Sequence, residues 1–201
     1  MYPDEITILY DCHTVSTFEP VDQPIFTNVN AMWGNPNPVP INYLQWIITT
    51  RILRKTDEFL IPLLEISSQV LCLSEHHLGI DKINKINFSP YTLRAQYCRR
   101  YYKKGGVAIF VNNNIQSNII DLEQFSKEKD LEVCALRISL PQKSLIIICI
   151  YRSPTGNFKY FINQLEAILY KIYKVETYII VCRDFNINHL ETPTAHSSGI
   201  I

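Results

Sequence analysis

Apolar residues along this chain fall into short blocks with two different periods, and those blocks set the order of its elements. Tyr178, Ile179, Ile180, Val181 and Cys182 follow one another without a break, which reads as a strand buried on both faces. Shorter apolar and β-branched blocks at residues 41–50, 69–74, 107–111, 131–140 and 144–151 predict further strands. Pro141-Gln142-Lys143 between the last two predicts a hairpin. The turn Asn112-Asn113-Asn114 predicts that residues 115–122 return antiparallel to the strand before them. Helical spacing occurs twice. Phe158, Phe161, Ile162, Leu165, Ile168, Leu169 and Ile172 share one stripe over about 158–174. Leu53, Phe59, Leu60, Leu63 and Leu64 predict a helix over 53–67, which Pro62 should kink or end at a cost of about 3 kcal/mol. Hairpin strands mixed with crossover helices predict an α/β sandwich rather than a doubly wound parallel sheet.

Composition divides the chain further. Six of the eleven prolines lie in residues 1–40, with Pro36, Pro38 and Pro40 alternating. That density withholds ladder donors and predicts an extended leader or arm, with a weak β element near 6–10. Residues 41–190 then form the domain and 191–201 a polar tail. The 201 residues suffice for one substantial core, and 47% hydrophobic with 19% charged residues excludes a disordered chain. Formal net charge is zero, so attraction to nucleic acid must come from a local patch. Of the six cysteines, Cys72, Cys134, Cys149 and Cys182 sit inside strand blocks and none is spaced C-x-x-C. They read as small core residues of a reducing compartment, not a zinc site or disulfide framework. Without a signal pattern or an apolar run near 20 residues, the expectation is an intracellular protein, nuclear or cytoplasmic.

Candidate chemistry starts at the end of the buried strand. Asp184 and Asn186 lie two apart around Phe185, so in extended chain they point to one side while Phe185 faces the other. A carboxylate beside an amide suits phosphate-ester hydrolysis; an Asp/Asn turn is the alternative. Residues 88–104 are aromatic and basic, and Arg99, Arg100, Lys103 and Lys104 could track a DNA backbone. The alternative is a solvated loop whose tyrosines pack on a sheet. His76 and His77 read as surface polar residues at a strand end.

Four stretches then share one pattern. Leu71-Cys72-Leu73-Ser74-Glu75, Gly105-Gly106-Val107-Ala108-Ile109-Phe110-Val111, Ile150-Tyr151-Arg152-Ser153-Pro154 and Cys182-Arg183-Asp184-Phe185-Asn186 resemble, in order and spacing, motifs of the endonuclease/exonuclease/phosphatase superfamily. They are most similar to the endonuclease domain of insect-type non-LTR retrotransposons. The resemblance spans roughly residues 41–190 and implies an α/β, two-sheet sandwich with outer helices, whose C-terminal third is missing. It implies that Glu75 holds Mg²⁺ (or Mn²⁺), Asp184 activates water, Asn186 binds a phosphate oxygen and Tyr151 braces the phosphate and carboxylates. DNA is the implied partner, with Arg152 joining the four basic residues above, and with a continuation or a reverse transcriptase module beyond Ile201.

Three departures weaken the implied activity. Ile47 or Ile48 stands where the family carries a metal-orienting asparagine, and Arg183 replaces the glycine before Asp184. The closing Ser-Asp-His motif lies past Ile201, so an open sheet edge and little turnover are expected. Beside a Mg²⁺-dependent DNA endonuclease stand two alternatives: a non-catalytic relic that retains nucleic-acid binding, and a phosphatase-type relative.

Overall fold

The computed structural model describes residues 69–141, 143–174 and 177–184 and the strand segments Ile6–Ile8, Ile25–Thr27 and Trp46–Thr49; side chains of those three segments and of Arg183 and Asp184 are excepted. The strands in chain order are β1 (Ile6–Ile8), β2 (Ile25–Thr27), β3 (Trp46–Thr49), β4 (Val70–Ser74), β5 (Tyr91–Tyr97), β6 (Val107–Asn112), β7 (Ser117–Ile120), β8 (Glu132–Ser139), β9 (Ser144–Tyr151) and β10 (Thr177–Asp184). They form two five-stranded sheets, β1-β10-β9-β8-β7 and β2-β3-β4-β6-β5. A one-turn helix, α1 (Ile80–Ile83), and a long helix, α2 (Phe158–Ile172), complete the framework.

Alternation along β9 shows how the layers are built. Leu145, Ile147, Cys149 and Tyr151 face the opposing sheet, where they meet Val70, Cys72, Val107, Ile109 and Val111. Ile146, Ile148 and Ile150 face α2 and pack with Phe161, Ile168 and Ile172. Each isoleucine buried this way contributes about 1.5–3 kcal/mol, so a strand apolar on both faces belongs at the centre of a covered sheet. On the far side of the other sheet, Leu71, Leu73, Ala108 and Phe110 pack with Ile83 and Phe88.

The hairpin forms as the sequence predicts, from Ser139 opposite Ser144 to Glu132 opposite Tyr151. Helix α2 starts where expected, and the side chain of Asn157 accepts from the Tyr160 N–H at 2.9 Å. Its buried stripe is narrower than the apolar spacing suggests, because Phe158 and Ile162 remain 49% and 41% exposed.

Two expectations are corrected. Residues 117–120 do not return beside β6, which β4 and β5 already flank; they cross to the other sheet and pair with β8. Within the aromatic, basic run, residues 91–97 form the edge strand β5 rather than loop. The expected helix over 53–67 and the tail past 184 lie outside the described residues. Of residues 1–40, β1 runs parallel to β10 and β2 antiparallel to β3, at the outer edge of each sheet.

Candidate active site

Four strand ends meet at one end of the sandwich. Register sets Tyr151, the last residue of β9, beside Glu132 of β8 and Asp184 of β10. Asp184 follows Cys182 by two positions, and Cys182 packs between the sheets. Glu75 follows β4 in the facing sheet, and the chain there passes through left-handed backbone at Glu75 (φ 52) and His77 (φ 57). Such conformations are costly for non-glycine residues and collect where a side chain must be aimed. Here the Tyr151 hydroxyl donates to Glu75 Oε1 at 2.5 Å, bridging the sheets between residues 76 apart in sequence. A hydrogen bond to a carboxylate is worth about 1.5–3 kcal/mol, enough to fix both groups.

Beneath this contact lies a buried ion pair that sequence reasoning missed. Glu132 is fully buried and accepts from Arg99 Nε at 2.5 Å, with Arg99 Nη2 also in ion-pair contact. Its carboxylate also takes the Gly106 N–H at 2.6 Å and the Lys129 N–H at 3.0 Å. Burial pushes the Glu132 carboxyl above its usual range, opposed by Arg99 and the backbone donors. The Arg99 guanidinium lies 5.5 Å from the Tyr151 ring centroid and 6.0 Å from that of Tyr102, linking the site to the neighbouring loop. The available signal was an acid opening an otherwise apolar strand block, which is a costly place for an unpaired charge.

The double glycine makes room for this packing. Gly105 and Gly106 have φ of 121 and 91; an added Cβ would lie 2.2 Å from Arg99 Nε and 2.4 Å from His76 Cε1, respectively. His76 is 1% exposed, which corrects its reading as a surface residue. Its Nδ1 accepts from the Leu78 N–H at 3.1 Å, so Nε2 carries the proton and donates to the Tyr97 carbonyl at 3.3 Å. His77 is exposed and structural: its Nδ1 accepts from the Gly105 N–H at 2.9 Å.

Burial lowers the His76 pKa from 6.5 to about 4. The unfolded chain therefore binds a proton between those values that the folded chain refuses. This contribution to stability is full above pH 6.5 and is lost as pH falls to about 4, amounting to roughly 3 kcal/mol. We expect urea unfolding at pH 7, 5.5 and 4.5 to show that limb in the wild type. The His76→Gln variant should lack it; equal pH slopes for the two proteins would refute the assignment.

The basic residues divide into two groups. Arg99 and Arg152 are packed inward rather than held out for a DNA backbone; Arg152 is 7% exposed, donates to the Ser153 carbonyl at 2.8 Å and covers the Phe158 ring. Arg100, Lys103 and Lys104 are exposed, as are Tyr101 (87%) and Tyr102 (47%). Their loop is shaped by Glu128, whose carboxylate accepts the N–H groups of Arg100, Tyr101 and Tyr102 at 2.6, 3.1 and 3.0 Å. With His77 and Leu78 the loop borders a cleft of about 520 Å³.

For a cation, the chemistry of this end is mixed. Among the described residues no three His, Cys, Asp or Glu side chains are grouped to hold a metal. Glu75 offers hard oxygen, and the buried Ser74 Oγ beside it in sequence has no hydrogen-bond partner among the described residues. Such a donor set fits Mg²⁺, which binds through one or two carboxylates and retains its waters. Ile47 and Ile48 pair with Leu71 and Cys72, well back along β4 from Glu75. Asn186 lies outside the described residues.

No family profile and no curated protein matches the sequence. Among solved structures, the chain is similar to the endonuclease domain of TRAS1, a telomere-specific non-LTR retrotransposon. The match has a TM-score of 0.52 and 13% identity, over 72% of this chain and 60% of that one. It is similar also to a humanized D. rerio TDP2 with 14 mutations, at TM-score 0.52 and 14% identity, over 73% and 67% of the two chains. The chain thus spans about 60% of the length of the TRAS1 domain. Its fold is the two-sheet α/β sandwich of the endonuclease/exonuclease/phosphatase type.

Proposed function

We propose that this chain, built on a fold that carries nucleases and phosphatases, is a Mg²⁺-dependent DNA endonuclease domain of retrotransposon type. The observation that supports the reading most is the Tyr151–Glu75 hydrogen bond, with Asp184 in register beside Tyr151. Glu75, restrained by Tyr151, is the residue to hold Mg²⁺ (or Mn²⁺). When bound, that ion would stabilise charge on a phosphate under in-line attack. On this reading Asp184 would take the proton of the attacking water and Asn186 would donate to a phosphate oxygen. Arg100, Lys103 and Lys104 supply backbone contacts, with Tyr101 and Tyr102 exposed to stack on bases or sugars.

Nicking of supercoiled plasmid tests this directly. We expect weak nicking with Mg²⁺, none with a chelator, and a further loss of roughly 100-fold or more in Glu75→Gln, equivalent to about 3 kcal/mol of barrier. Tyr151→Phe should lose about 10- to 100-fold, the value of a hydrogen bond to a charged group. A wild-type chain that never nicks in Mg²⁺ or Mn²⁺ defeats the enzymatic reading.

The exposed cationic loop favours a second reading, a relic that binds DNA without cutting it. On either reading, neutralising Lys103 and Lys104 should flatten the dependence of log K on log salt by about 0.9 per residue. An unchanged slope would remove the loop from the interface.

A further inference from the structure

One step behind the Glu132–Tyr151–Asp184 row, the layer between the sheets contains a group of thiols. Cys149 of β9 is the register partner of both Cys134 on β8 and Cys182 on β10, and Cys72 of the facing sheet packs in the same core. All four are at most 5% exposed and none is in a disulfide. Cys134 alone of the four borders a cleft of about 490 Å³ that opens between the edge strands β5 and β7. Directly opposed residues on antiparallel strands have Cα atoms about 4.5–5.5 Å apart, inside the disulfide range of about 4.4–6.8 Å.

We propose that Cys134 and Cys149 form a peroxide-oxidisable pair, joined across β8 and β9 by a disulfide when hydrogen peroxide enters this cleft. In the first step the Cys134 sulfur attacks peroxide. An S–O bond forms, the O–O bond breaks, and the hydroxide released takes the thiol proton as water. The Cys149 sulfur then attacks Cys134: the S–S bond forms, the S–O bond breaks, and a second water leaves with the Cys149 proton. Two thiols lose two electrons and one peroxide becomes two waters.

The Cys149 thiol donates to the Leu73 carbonyl at 3.3 Å; burial works against its ionisation while the neighbouring Cys134 and Cys72 thiols favour the thiolate, and its register position opposite Cys134 suits it to close the bridge. Burial holds Cys134 well above the usual thiol range, which slows the first step. The bridge would sit one same-face step from the Glu132–Tyr151 pair.

The test is peptide mapping of the full chain after hours in about 1 mM hydrogen peroxide, followed by alkylation in denaturant. Trypsin places Cys134 in peptide 130–137, Cys149 in 144–152 and Cys98 in 95–99. A linked pair of 130–137 and 144–152, two hydrogens lighter than the reduced peptides and separated by dithiothreitol, is expected; Cys134→Ser and Cys149→Ser should each abolish it. Full alkylation of Cys134 and Cys149 after peroxide, or a bridge from Cys98 to either, overturns the proposal.

Discussion

Glu132→Ala is expected to destabilise the folded chain by about 3–5 kcal/mol, because it strands the buried Arg99 guanidinium without its counter-charge. With a urea slope of about 1–3 kcal/mol per molar, that should lower the midpoint by on the order of 2 M. Two backbone donors, Gly106 N–H and Lys129 N–H, lose their acceptor in the same change, at about 1–3 kcal/mol for each donor left unsatisfied. Pairing Glu132→Leu with Arg99→Met should recover part of the loss, since no charge is then buried alone. Recovery stays partial because the two N–H groups remain unpaired. A loss no larger than the ~0.5 kcal/mol of an ordinary surface substitution would mean that Arg99 and Glu132 are not the buried pair described.

Gly106→Ala should cost about 2–6 kcal/mol for two separable reasons. A φ of 91 places any side chain in strained backbone, worth about 1–3 kcal/mol. The new methyl would also lie 2.4 Å from the His76 ring, and such overpacking adds about 1–3 kcal/mol. Combining Gly106→Ala with His76→Ala should relieve the second cost and leave the first, which a double-mutant cycle reads as strong coupling. Gly79→Ala is the control: nothing lies within 4 Å of its added Cβ, so its effect should be small. If Gly79→Ala and Gly106→Ala unfold at the same denaturant concentration, the close approach of His76 is disproved.

Both predictions concern residues whose importance arises from contacts between segments distant in sequence. Glu132 meets Arg99 over 33 positions in sequence, and Gly106 meets His76 over 30. Read along the chain, Arg99 belonged to a basic patch, His76 to a polar strand end, and Glu132 to nothing. The fold assigns all three to a buried plug beneath the candidate site. The double glycine, by contrast, was visible as part of a motif, although its steric reason was not.

Local sequence determined the periods and thereby the elements. The unbroken apolar runs of β9 and β10, the Pro141–Lys143 connection and the helical stripe of α2 each depend on neighbours a few residues apart, where backbone geometry alone decides. The positions of Glu75, Tyr151 and Asp184 were legible in the same way, as residues closing strand blocks. Only the tertiary structure decided that Tyr151 touches Glu75, that residues 117–120 leave one sheet for the other, and which arginines are buried. Those outcomes depend on which strand edges are already occupied and on how two sheets stack. Desolvation and close packing act between residues distant in sequence, and their outcome is set only when the sandwich closes.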